Sequence, residues 1–489
     1  QSQFRPLITD KNRDEQILSG NIGLDFGDNG IFRLNGLYSF GGYDENMHED
    51  HFNIDNTNGQ VLAAFEDTIF YFEGNKWEIG GDYERKIGRL GNLKTVFVLN
   101  QANRLDSIIQ DHTEAGVKTN NFDSLADYQT KEQIFRTSIT TPFGEKHSFE
   151  WGGEGAFNTL DKSQSFANAA NDIAIVKENR YEVFATHNYT LGETASLQST
   201  FTKEFSKVFQ DREGITNTRK YSFLKPRFEF RYDFSGSDQL RIMSERKVSQ
   251  LNLSNFIASR NIQDDSIDFG NPNLVPQKTW EHSISYEKRL SKDAGSFELK
   301  FKYEYISDHI DRIQIGEPLN YTSGVGNIGD AKKYGFDVKG NLRLGFLGLP
   351  KALLTASYTH SYHETTDPFT GKKRLMKQPL GRFWMIDFQH DLTELKTKYG
   401  FNIHHQAVNY RFDIRLLEEL KALYHFGFYI EHTFKNIKAK FNTSHIFGDH
   451  KRGTKTFYVG DIKNNIIDSI LTNKNHNAPE FYLSFQTTF

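Results

Sequence analysis

The 489-residue chain contains no cysteine, which excludes disulfide frameworks, thiolate metal sites and cysteine nucleophiles. Long apolar runs are missing too. No stretch approaches the roughly 18 consecutive apolar residues that a membrane-spanning helix needs, so a helical membrane protein is excluded. Neither sign of charge dominates, with 59 basic against 63 acidic residues and a net charge of -4, and nothing points to a nucleic-acid partner. Signatures of catalysis are absent: there is no Gly-x-Ser-x-Gly elbow, no His-Glu-x-x-His helix and no phosphate-cradling glycine loop. No enzyme is expected, no catalytic residue is assigned and no cofactor is required. Residues 1–15 lack the basic and apolar regions of a signal peptide, so the chain reads as a mature protein or a piece of one.

What is abundant is aromatic surface. The 43 Phe and 22 Tyr are far too much to leave in water, which rules out disorder. Their spacing carries the fold. Phe297, Leu299, Phe301, Tyr303 and Tyr305 share one face of an extended segment, and Glu298, Lys300, Lys302 and Glu304 share the other. Tyr334, Phe336 and Val338 repeat the pattern against Asp337 and Lys339, with Arg343 further along, as do Phe228, Phe230, Tyr232 and Phe234 against Arg227, Glu229, Arg231 and Asp233. Such segments run to about ten residues, the length of a tilted span across hydrocarbon, whereas strands of soluble sandwiches average five or six. A mean hydropathy of -0.63 is no objection, because only every second residue of a spanning strand faces lipid. The expected fold is all-β: a transmembrane antiparallel β-barrel in a bacterial outer membrane, occupying residues 1–489.

About 19 strands can be placed, among them 332–346 and 397–412. Tight turns such as 27–30, 142–145, 235–237, 291–295 and 435–436 alternate with long polar segments, including 41–75, 103–130, 159–179, 210–219, 249–277, 307–331 and 448–479. Short connections on one side and long ones on the other are the outer-membrane pattern of periplasmic turns and extracellular loops. The first turn belongs to the short set, so the chain starts on the extracellular side. Complete bacterial single-chain barrels have even strand numbers, and the odd count leads to the expectation of further strands upstream.

The most specific string is Gly270-Asn271-Pro272-Asn273-Leu274-Val275-Pro276-Gln277-Lys278-Thr279-Trp280, just before an alternating strand. It resembles the Asn-Pro-Asp/Asn-Leu-x-Pro-Glu string of TonB-dependent outer-membrane transporters, which enters a strand about nine strands from the end. Nine strands follow it here, with Gln277 in place of the usual Glu. Gly326-Asn327-Ile328-Gly329 leading to Tyr334-Gly335-Phe336-Asp337, Trp77-Glu78-Ile79-Gly80-Gly81-Asp82-Tyr83 and a last strand closing on Phe489 are similar to the same family. Asn271, Pro272, Asn273, Leu274 and Pro276 read as a rigid loop end, the prolines fixing φ, and Phe489 as an aromatic outer-membrane signal.

The resemblance implies a 22-stranded barrel, so that three strands, a plug domain and a TonB box would precede Gln1. It implies active uptake of a scarce ligand (a siderophore, glycan, cofactor or peptide) driven by the TonB–ExbB–ExbD complex, with outer-membrane lipids and the barrel assembly machinery as further partners. The alternatives are a passive diffusion porin, and a non-transporting surface receptor or assembly barrel. His48-Glu49-Asp50-His51, with Asp44, Glu45 and Asp55, reads as a solvated acidic loop in preference to a metal site. His404 and His405 should point to opposite faces of one strand. Charges facing the lumen should pair across strands, Tyr358, Tyr362, Trp384 and Tyr429 should form interfacial girdles, and Tyr321, Phe369 and Phe457 are the loop aromatics placed to stack on a ligand. Phe489→Ala should impair barrel insertion more than ligand affinity; quantifying folded protein in outer-membrane fractions checks this, and wild-type levels would refute it.

Overall fold

The computed structural model describes residues 2–487 other than 56–58, 167–168, 258, 262–265, 269, 316–321, 378–380, 407, 423, 448 and 478. Phe489 and Tyr321 lie outside the described residues. Two compact units are present: Gln1–His187 with Phe201–Leu224 and Asn252–Ile257, and Asn188–Thr200 with Lys225–Leu251 and Ala258–Phe489.

The first unit is an antiparallel meander of very long strands. β1 (Leu7–Asp25), β2 (Ile31–Asp55), β3 (Gly59–Lys86), β4 (Asn92–Glu114), β5 (Val117–Phe143) and β6 (His147–Phe166) each pair with the next. β7 (Ala169–Leu191), β8 (Ala195–Arg212) and β9 (Ile215–Asp233) continue the sheet, and of them the first unit holds Ala169–His187, Phe201–Arg212 and Ile215–Leu224. These strands correct the expectation of long loops over 41–75, 103–130, 159–179 and 210–219, most of which is strand. The apolar alternation stops at the edge of the hydrocarbon, but the backbone ladder does not. Its tips close abruptly: Ala115 (φ 50°) and Gly116 (φ 77°), like Glu213 (φ 52°) and Gly214 (φ 83°), supply the paired positive φ angles of a two-residue turn matched to strand twist.

Inside this unit the polar faces are tied across strands. Arg33 donates to Asp82 at 2.6 Å, Lys94 to Glu84 at 2.7 Å, and Glu154 lies 3.4 Å from both Arg136 and Arg180. Glycine at 81 has a steric reason: a Cβ there would sit 2.7 Å from the Phe97 ring, its cross-strand partner.

The second unit is built from shorter strands: β10 (Asp238–Val248), β11 (Lys278–Leu290), β12 (Gly295–Ser307), β13 (Ala331–Arg343), β14 (Ala352–Thr366), β15 (Arg382–Leu392), β16 (Thr397–Gln406), β17 (Tyr424–Phe434), β18 (Ile437–Ser444) and β19 (Glu480–Thr487). Each pairs antiparallel with the next in this series. With β1 to β9 they make the 19 strands read from the alternation. Some boundaries move, two of them with a change of structure. The strand expected over 332–346 stops at Arg343, where Leu344–Leu347 forms a 3-10 turn with Leu344 buried. The strand expected over 397–412 ends at Gln406, and Asn409–Phe412 joins Leu416–Ala422, Asp449–Tyr458 and Ile467–Asn477 in a separate four-stranded sheet. Asp449–Tyr458 and Ile467–Asn477, within a stretch that reads as a loop, are therefore paired sheet.

Two faces of the strands follow the alternation. Phe297 (40%), Phe301 (54%) and Tyr303 (40%) are exposed on the outer face, where lipid would cover them. Across the lumen side, Lys302 reaches Asp337 at 2.5 Å, Thr359 donates to Asp337 at 2.8 Å and Lys333 lies 3.2 Å from Glu304; at the turn, Arg343 meets the exposed Asp293 at 3.2 Å. The girdle forms from Tyr334 and Tyr362 at 5.2 Å, and from Trp384 stacked on His405 at 6.3 Å and close to Tyr424 at 5.9 Å. Tyr358 packs with Phe336 on this same face, at 5.9 Å. Tyr429 does not join the girdle. Register places it opposite Gly400, on the face that carries Asn402 and His404, with the Lys440 ammonium 4.8 Å above its ring.

Placing a cation in the lipid-facing row should be far more harmful than removing one from the lumen row. Phe301→Lys is expected to destabilise the full-length barrel by about 2–4 kcal/mol, and Lys302→Met by about 1 kcal/mol or less, as measured by urea unfolding in lipid vesicles.

Candidate functional site

Above β11 to β14 the extracellular segments of the second unit converge on one side chain. Asn327 accepts from the Val275 N–H at 2.9 Å and donates to the carbonyls of Val275 (2.9 Å) and Asp308 (2.8 Å). It thus ties the proline-bounded string to the hairpin formed by Ile310–Ile315 and Thr322–Asn327. Asn271 donates to the Val325 carbonyl at 3.0 Å and accepts from the Asn273 N–H at 2.8 Å, an Asx turn. Leu274 is fully buried. Pro272 and Pro276 flank it and supply no N–H that the loop would have to satisfy. Gln277 accepts from the Ile310 N–H at 3.3 Å and lies 2.9 Å from His309 Nδ1. Five of the residues singled out in sequence, Asn271, Pro272, Asn273, Leu274 and Pro276, are therefore brought together with Asn327 of the second motif.

Beside this knot lies a buried cluster of charges. Arg374 pairs with Asp311 at 3.0 Å and Asp367 at 3.4 Å, each of the three side chains less than a tenth exposed, and its guanidinium sits 4.1 Å above the Phe412 ring. Asp413 lies 3.8 Å from both Arg312 and Arg411, accepts from Ser323, and sits where Arg411 also approaches Glu418 at 3.9 Å. Ile306, Ala331 and Met376 form an apolar floor. His309 is buried, and that burial, reinforced by the Arg374 charge and opposed by Asp311, holds its pKa below the ordinary imidazole value. Its Nε2 has no hydrogen-bond partner among the described residues. Phe369, expected as an open stacking surface, is buried instead, fixed by the turn in which its N–H meets Asp367 at 3.3 Å; Phe457 is half-buried, paired with Leu416.

At the rim of β16 to β19 the register does something that linear spacing hides. His404 lies opposite His425, their rings stacked at 4.4 Å, and His445 meets His425 edge-on at 4.7 Å. His405 turns the other way, toward Trp384 and Tyr424. Among the described residues, no group of three or more His, Asp or Glu is arranged to hold a metal ion.

The first unit carries its own polar surface on the raised hairpins. Lys162 is fully buried, 3.4 Å from Asp172, which also accepts from Arg212 at 2.8 Å; burial lowers the Lys162 pKa. Asp106, beside Arg104 at 2.7 Å, is shifted upward by burial. The His48-Glu49-Asp50-His51 stretch is no solvated loop: β2 and β3 hold it in register, with His48 between Asp67 (2.5 Å) and Asp50 (3.2 Å). Its bond to Asp67 raises the His48 pKa. His51, by contrast, is pushed down to about 4 by burial, with Arg5 and His112 adding to the effect.

Residues 98–469 match the sequence model of the family described as "Outer membrane protein beta-barrel family". No curated protein matches the chain. Among solved structures, the copper transporter OprC superposes with a TM-score of 0.65 at 10% identity, covering 99% of this chain and 80% of that one. The ferric-catecholate import receptor Fiu from K12 E. coli gives 0.63 at 10% identity over 99% and 81%. The pyoverdine receptor FpvA from Pseudomonas aeruginosa PAO1 gives 0.62 at 12% over 98% and 77%. At such identities the likeness is one of fold.

The two histidines of the raised hairpin oppose each other in pH. Between about pH 6.5 and 4 the unfolded segment binds a proton that native His51 refuses, so acidification removes stability. His48, with its raised pKa, contributes fully below 6.5 and loses its contribution as pH rises through the raised value. Hydrogen exchange of residues 45–70, corrected for intrinsic rates, should quicken between pH 7 and 5. His51→Phe should abolish that quickening, and His48→Gln should speed exchange chiefly on the acid side.

Proposed function

The chain belongs to the outer membrane protein beta-barrel family, and from that premise we propose that it is the barrel of an active transporter that captures a scarce ligand outside the cell. The observation that carries this reading is the organisation of its extracellular segments. A diffusion pore needs only loops that leave the lumen open. Here the segments after β10, β12, β14 and β16 are cross-linked through Asn327 and through buried pairs around Arg374 and Asp413. Ordering such a surface before a ligand arrives lowers the entropy cost of capture.

A small metal chelate is the ligand class to test first, since the structural neighbours are named as copper, catecholate and pyoverdine proteins. His309 supports a ligand with hydrogen-bonding groups, because its buried Nε2 is available as a partner. Energy coupling would act through a plug and a TonB-binding segment preceding Gln1. This chain covers 77–81% of the neighbours' chains.

The test is uptake by cells expressing the full-length protein. Accumulation of a labelled ferric chelate should collapse when the proton-motive force is dissipated, and Arg374→Met should weaken surface binding at least about tenfold, as expected for leaving two buried carboxylates unpaired, with barrel abundance unchanged. Accumulation that persists without energy would favour a passive pore.

A further inference from the structure

On the outer face of the first unit, β7, β8 and β9 carry an aromatic band with lysines above it. Tyr181 and Phe205 each stand ten positions from the periplasmic end of their strands, at Leu191 and Ala195, which is the span needed to cross the hydrocarbon. Both are about half exposed, as are Phe201 and Leu224. Lys207 and Lys220 stand two to three positions beyond that level on β8 and β9, counted from Ala195 and Asp233, and both are exposed. Lys203 starts lower but bends upward, its ammonium 5.4 Å from the Phe205 ring centroid, as a lysine does when it leaves its stem in lipid and raises its charge to the interface.

The contrast with the inner face is chemical. There the cations of these strands and their neighbours are paired, Lys162 and Arg212 with Asp172 and Arg180 with Glu154. Lys203, Lys207 and Lys220 form no ion pair among the described residues. Asp161 of β6 shares the outer face, on the strand whose Phe157 touches Tyr181 at 5.6 Å. Between the strands Asn179, Tyr181, Phe205, Lys207, Lys220 and Ser222 line a shallow cleft of about 380 Å³. It has an apolar lower wall and polar donors at its upper edge.

We propose that this cleft binds an outer-leaflet glycolipid, its acyl chain against Tyr181 and Phe205 and its phosphate held by Lys203, Lys207 and Lys220. The ammonium groups of Lys207 and Lys220 match a phosphate in charge and stand above the aromatic band, where headgroups lie, and Lys203 brings a third to the Phe205 ring just below them. Each contributes attraction on the order of a several-fold change in occupancy, so together they select a phosphorylated lipid over a neutral one.

The experiment uses the full-length protein extracted from outer membranes, with bound lipid quantified by mass spectrometry after exchange against bis-phosphorylated lipid A. The variant Lys203→Gln, Lys207→Gln, Lys220→Gln should retain at least about tenfold less phosphorylated lipid, and the corresponding triple Lys→Arg variant should retain it. Wild-type protein should prefer bis-phosphorylated over dephosphorylated lipid A, and millimolar inorganic phosphate should not displace the lipid. Equal retention by the Gln variant, or no preference between the two lipids, would overturn the site. Displacement by inorganic phosphate would overturn the assignment to a lipid. The comparison of the two lipids on wild-type protein decides the matter even if the Gln variant does not fold.

Discussion

Everything in this molecule depends on satisfying the backbone where water is absent. A peptide N–H or C=O left unpaired in hydrocarbon costs several kcal/mol, and strands can avoid that only by pairing along their whole length with neighbours. The antiparallel ladder is therefore the fixed element, and the side chains are free to differ on its two faces. Outside, Phe301 of β12 opposes Ile284 of β11 where lipid lies; inside, Lys302 of β12 meets Asp337 of β13. The lumen pairs add little stability individually. Their effect is to keep charges satisfied on a surface that cannot be apolar.

The ladder does not end with the membrane, and this explains most of what sequence reading found and missed. Alternation of the kind seen at Phe297–Tyr305 is a local signal of period two, so the 19 spans and their two faces were legible. Beyond the hydrocarbon the outer residues become polar while the backbone pairing goes on, so the pattern fades just where β2 to β6 extend furthest. Ala115-Gly116 and Glu213-Gly214 gave only short turn signals within polar sequence. Contacts set by register were invisible for a different reason. That His404 stacks on His425, that Asn327 closes on Val275, and that Tyr429 turns to the lumen all depend on which residue of one strand faces which residue of another. The proline-bounded string could be read as rigid, but its partner 52 residues away could not.

The extracellular side of the second unit shows the cost of building a defined surface from polar parts. Arg374 with its two aspartates, and Asp413 with its two arginines, are withdrawn from water. Such clusters break even at best when complete and become strongly unfavourable when one member is lost. They therefore hold the segments in one arrangement more than they stabilise the fold. Arg312, next in sequence to Asp311, belongs to the second cluster, so the two are joined through adjacent backbone.

The tight hairpin tip at Ala115-Gly116 has a practical meaning. A Cβ placed on Gly116 would meet nothing within 4 Å, and the two strands below it stay in ladder register down toward the membrane, with one irregularity at His112/Thr113. The tip is thus a mast: cargo spliced between these two residues would be carried on the order of 30 Å clear of the hydrocarbon without disturbing the spans.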